Sequence, residues 1–159
     1  VSEGERVLLL LHILASFWYV IGLATVQLSY LRGWQSEDAG VQATSLDEAA
    51  HYQGVFLLPG AIALGFTGLF FWSQMGYNLL GTGWLLLLEV LYVLTLLVCL
   101  PLLGLGLRRA RLAALKARRT GQRTAELEQA LGDGVPLVFG GIATIQVPVM
   151  AYLSVFRPF

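Results

Sequence analysis

The chain is poor in charge and in sulfur chemistry. Of its 159 residues, 13% are charged and one is cysteine, where soluble domains carry roughly 25% charged residues. A single cysteine excludes a disulfide framework and a cysteine-built metal cluster. Cys99 lies inside an apolar run and reads as an inert small hydrophobe. There is no phosphate loop, no GxGxxG after a strand, no histidine pair at metal-binding helical spacing and no nucleophile elbow. The sequence therefore leans away from an enzyme. Ten basic and ten acidic residues cancel, so net charge points to no class of partner.

What is present is apolar length. The composition is 57% hydrophobic and the mean hydropathy is +0.71. A membrane-spanning helix needs about 20 mostly apolar residues, and four stretches qualify: 7–31, 52–72, 84–107 and 135–156. They are too long and too uniformly apolar for barrel strands, and lipid admits only helices or closed barrels. The expected fold is all-α, a four-transmembrane-helix bundle, with 1–159 forming one integral membrane domain. The first stretch lacks a basic leader and exceeds the core of a signal peptide, so it reads as a retained helix.

The connections carry the charge. The segment 33–50 is polar, and Ser45 followed by Asp47 and Glu48 looks like a helix start. The segment 73–83 reads as a tight glycine-rich turn. The segment 108–134 opens with seven basic residues from Arg108 to Arg123 and turns acidic at Glu126 and Glu128. The third helix is expected to continue into it as a stem, with Gly132-Asp133-Gly134 as a break and Pro136 in the next first turn. Arg32 and the basic stem fall on one side, Arg6 and Arg157 on the other. The positive-inside rule makes 33–50 and 108–134 cytoplasmic and places both termini outside. Beside a span, the basic stem suits topology and anionic lipid heads rather than nucleic acid. Tyr30, Trp34, Trp72, Tyr77, Trp84, Phe156 and Phe159 sit near span ends as interfacial anchors.

Inside the spans, small residues mark packing faces: Gly54, Ala61, Gly65 and Gly68 on the second helix; Gly140, Thr144, Pro148 and Ala151 on the fourth. Pro59 and Pro148 should kink their helices. Polar residues there are the functional pointers. His12, Ser16, Tyr19, Gln27 and Tyr30 fall on one face of the first helix. Glu89, Tyr92 and Cys99 share a face of the third. His12 and Glu89 lie comparably far into spans entered from the same side, and are expected to approach directly or through water. Such a pair handles protons, walls a haem or quinone site, or merely fixes helix register. The candidate cofactor-binding residues are His12, Ser16, Tyr19, Glu89 and Tyr92, with His12 also the candidate metal ligand. His51 starts the second helix on the opposite side, about 25 Å away by helix rise, which disfavours bis-histidine haem ligation. Gln146 is placed to hydrogen-bond across the bundle.

The run Leu8-Leu9-Leu10-Leu11-His12-Ile13-Leu14-Ala15, followed by Trp18 and Gly22, resembles the first helix of small bacterial membrane proteins. Among them are an uncharacterised predicted-integral-membrane family with four helices and, more distantly, copper-resistance D-type and J-type protoporphyrinogen oxidase proteins. Trp84 opening the third helix and Arg108-Arg109 closing it resemble the uncharacterised family too. The J-type resemblance implies haem at His12. That enzyme also relies on an intramembrane lysine, whereas the lysine of this chain is Lys116, in the long connection. Three readings follow. The first is a non-catalytic accessory subunit of a larger respiratory or photosynthetic membrane complex, with lipid and other membrane subunits as partners. The second is a redox protein binding haem b or a quinone through His12, against the alternative of no cofactor. The third is a small proton-linked transporter using His12 and Glu89.

Overall fold

A computed structural model describes residues 3–76 and 78–158, and these are mainly helical with no strand. Tyr77 and Phe159, expected as anchors, lie outside the described residues. Helix α1 runs Glu3–Gln35 and α2 Ala39–Met75; α3 runs Gly83–Thr120, α4 Ala125–Gly132 and α5 Val135–Phe156. Four helices are long and apolar enough to cross a membrane, the fourth being α5 with α4 as its lead-in. The protein is a four-transmembrane-helix bundle.

Helix α2 starts well before Ser45. Asp38 caps it, its carboxylate accepting the Val41 amide at 2.8 Å, which satisfies a first-turn donor. The charges of this segment hid a buried face made of Gln42, Ala43, Ser45, Leu46 and Ala49. The stem of α3 does continue, to Gly121, which closes it in the left-handed conformation with φ 66° as an achiral residue readily does. Thr124 then caps α4. Here Gly132-Asp133-Gly134 separates α4 from α5.

These ends of α1, α2 and α3, together with α4, form a helical cap. Tyr30, Leu46, Leu107, Ala114 and Leu127 are wholly buried in it. Tyr30 is thus core rather than an interfacial anchor. Trp34 donates its indole N–H to the Leu131 carbonyl at 3.1 Å, at the C-terminal end of α4. On the surface of the cap Arg111 pairs with Asp47 at 2.6 Å and Lys116 with Glu126 at 2.8 Å.

Two antiparallel hairpins make up the spans, α1 with α2 and α3 with α5. In the first, backbones touch: an added Cβ on Gly22 would lie 2.5 Å from the Leu57 amide nitrogen, and one on Gly60 2.7 Å from that of Tyr19. Small residues permit such close approach, which drives association in lipid. The expected stripe on α2 serves otherwise. Gly54 meets nothing, while Gly65 and Gly68 seat the side chains of Tyr92 and His12.

Both α2 and α3 contain one π turn, at Gln53–Leu57 and Thr95–Cys99, closed by Leu58 N–H to the Gln53 carbonyl and Leu100 N–H to that of Thr95. Each turn runs up to a proline, Pro59 and Pro101. Proline lacks the N–H of the regular ladder and its ring crowds the carbonyl one turn back. The wider turn relieves that crowding. Pro148 lies inside α5.

Candidate functional site

The hairpins pack tightly towards the cap and part at the other end. The first half of α3 lies along α5 but scarcely touches α1 or α2. The space left between them is a cavity of about 730 Å³, within the range of small-molecule and cofactor sites. All five candidate residues line it: His12, Ser16 and Tyr19 from α1, Glu89 and Tyr92 from α3. His51 does not; it is exposed, edge-on to the Tyr52 ring.

His12 does not hydrogen-bond to Glu89. Its Nδ1 lies 3.0 Å from Oγ1 of Thr67, on α2. The Thr67 hydroxyl donates its proton to the Ala63 carbonyl at 2.7 Å. Having one proton, Oγ1 is left to accept from His12. In the tautomer that makes this bond with Nδ1–H as donor, neutral His12 has its lone pair on Nε2. That is how proteins orient a ligating or proton-accepting histidine. The ring stacks at 9° to Phe71, centroids 6.4 Å apart, and Gly68 leaves it room. Ser16 donates to the backbone carbonyl of His12 at 2.7 Å, so its hydroxyl proton is used within the helix.

Tyr92 crosses the cavity floor and donates to the Ala61 carbonyl at 2.8 Å. Its ring end rests on Gly65, where any Cβ would collide with the hydroxyl. Tyr19 is 3% exposed and its hydroxyl has no protein partner. Glu89 is half-buried on the same wall. At the mouth, the Arg157 guanidinium sits 5.4 Å from the centre of the Trp84 ring, a cation–π contact. Among the described residues no three histidine, cysteine, aspartate or glutamate side chains converge as a metal cluster.

Sequence reasoning missed Thr67, Gly65 and Gly68 as parts of this site. Thr67 was a visible signal, a hydroxyl in mid-span, but its pairing with His12 depends on how α1 and α2 register. Exchanging Thr67 for valine keeps the shape and removes the acceptor, freeing the imidazole to change tautomer. For any molecule held through His12, affinity should fall by about 10- to 100-fold, as on loss of other outer-shell histidine partners. Titration of the purified variant checks this, and unchanged affinity would refute the orienting role.

Deeper in the bundle, Thr95 hydrogen-bonds through its hydroxyl to Oε1 of Gln146, joining α3 to α5 across the buried interior. Gln27 packs directly onto Gly140, and Gln53 onto Gly104. Comparison with curated proteins and with solved structures returns no match. Residues 6–158 match the family described as a predicted integral membrane protein (DUF2269), and the chain belongs to that family.

Proposed function

We propose that this protein binds a largely apolar molecule with a polar head in the cavity between its hairpins, with His12 as the anchoring group. The observation that carries this reading is the His12–Thr67 pair. It fixes an imidazole on a wall that is otherwise mainly apolar, with Nε2 as a lone-pair acceptor. Ionisable and polar groups are costly in a bilayer and are kept where they act. Glu89 adds a second acceptor when ionised. Two acceptors suit a head that donates, such as the hydroxyls of a quinol, and the imidazole alone suits a haem iron.

The residues fit either class. His12 would hold haem iron through Nε2, and bound haem would supply one-electron chemistry. A second imidazole is out of reach. The α1–α2 register sets His51 opposite Leu28, about 24 Å along α1 from His12 at 1.5 Å per residue. Ser16, Tyr19 and Tyr92 shape the wall around the head. The basic residues of the cap support, by the positive-inside rule, a cap on the cytoplasmic side of a bacterial inner membrane, with the cavity in the outer half.

Gently purified protein should show a Soret band or release a quinone into organic extract. A preparation with neither, still folded and still binding no added quinol, overturns the proposal. A second reading, a non-catalytic subunit of a larger membrane complex, is favoured by how little of the chain lies beyond the spans. The cap is only helix ends and the 8-residue α4. Native-membrane purification yielding the chain purely as a free monomer counts against it.

A further inference from the structure

Below the cavity the bundle keeps a succession of polar groups that the ligand site does not use. The contacts fix their depth. Across the first hairpin Gly22 faces Leu57, Gly60 faces Tyr19, His12 meets Thr67 and Gly33 meets Leu46, one constant antiparallel register. Gly140 seats Gln27, Gly106 receives Pro136, and Thr95 meets Gln146, which tie α5 to α1 and α3 to α5. Carried along at equal rise, Tyr92 lies at the level of Trp18, Thr95 with Gln146 at that of Ile21, and Gln53 at that of Val26. Gln27 and Tyr30 follow on α1 itself, and Asp133 comes level with Trp34.

Along the bundle axis successive levels are thus no more than about 8 Å apart at 1.5 Å per residue, with Gln53 set against α3 and Gln27 against α5. Three atoms at these depths, all on α1, are buried without a protein partner: the Tyr19 hydroxyl, Nε2 of Gln27 and the Tyr30 hydroxyl. Tyr30 is wholly buried, with the Asp133 carboxylate near enough to act on its hydroxyl. Buried polar atoms are seldom left without a partner, and ordered water is the usual one. The widest interval, between Thr95 and Gln53, is the level of both π turns.

We propose that a hydrated polar column runs from the cavity down the buried face of α1 to Asp133 and conducts protons between the two membrane faces. The proton moves along water, each molecule accepting one and releasing another. The glutamines hold that water in place without titrating. Glu89 and His12 are the acceptors at the cavity end, and Asp133 is the acceptor at the cap end. Asp133 also faces Arg109 at 3.9 Å and accepts the Val135 amide at 3.1 Å.

The full-length protein is reconstituted in phospholipid vesicles containing a pH-sensitive dye, and a potassium diffusion potential is set with valinomycin. Proton entry should exceed that of protein-free vesicles. Tyr30→Phe and Gln27→Leu should each return it to the protein-free level. The Tyr30 hydroxyl has no hydrogen bond to another protein group to lose, so Tyr30→Phe should melt no lower than the parent, which separates conduction from a structural role. Native flux equal to that of empty vesicles overturns the proposal, and so does undiminished flux in Tyr30→Phe. The column needs no bound ligand. Flux without a Soret band or quinone, or the reverse, therefore distinguishes its failure from that of the cavity reading.

Discussion

Exchanging Gly22 for leucine is expected to abolish the folded protein. The position faces backbone, not side chain. A Cβ there would sit 2.5 Å from the Leu57 amide nitrogen and 2.7 Å from its Cα, and no rotamer change on the partner relieves that. The two helices must separate at their closest crossing, which also releases Gly60 from Tyr19. Even alanine should cost about 1–3 kcal/mol, the usual range for overpacking a tight interior. Gly54 is the control. It meets nothing within 4 Å, so Gly54→Ala should change stability by no more than about 0.5 kcal/mol, as at an open surface position. Yield of monodisperse protein and unfolding in mixed detergent measure both. A Gly22→Leu variant that folds as stably as Gly54→Ala would show that the crossing is not what holds the hairpin.

Exchanging His12 for alanine is expected to remove the bound molecule. If that molecule is haem, the iron loses its protein ligand and the Soret band of the purified protein disappears. If it is a quinol, a hydrogen bond to the imidazole is lost. Removing a bond to a group that takes on charge costs about 1.5–3 kcal/mol, so affinity drops by about 10- to 150-fold. The fold should survive. His12 is half-buried, its ring lies against Gly68 and Phe71, and its removal enlarges an existing cavity rather than opening a new one. His51→Ala should leave the spectrum and the extracted quinone unchanged, since His51 is exposed and outside the cavity. Equal loss from both variants would point to general disruption instead of ligation. Together with Thr67→Val the set forms a gradient: complete loss at the anchoring ring, partial loss at the hydroxyl that orients it, no loss at the distant histidine.

The length and hydropathy of the runs determined the four spans, because a bilayer sets both and few sequences meet them by accident. Helical periodicity also determined that Tyr19 and Tyr30 turn inward: a polar face on an apolar helix has nowhere else to go, and both are buried. The start of α2 was not legible. Asp47 and Glu48 made 33–50 look like solvated connection, while the small residues Ala43 and Ala49 earn burial only against the stem of α3. Interfacial placement of Tyr30 failed for the same reason, since α4 folds over the end of α1 and covers it. Equal depth for His12 and Glu89 was inferred from distance to the span starts. The inter-helix contacts instead set Glu89 level with Ala15, one turn deeper, and give His12 to Thr67. Register between helices comes from where backbones can touch, at Gly22 and Gly60, and from which side chain a glycine can seat. Sequence alone thus determined that the chain lies in lipid, which residues face inward and which of them are costly there. The tertiary structure decided that the hairpins close at the cap and part at the other end, because the small residues at the start of α2 pack on the alanine-lined stem of α3 at the cap, while the bulky Tyr92 and His12 stand between the hairpins at the other end.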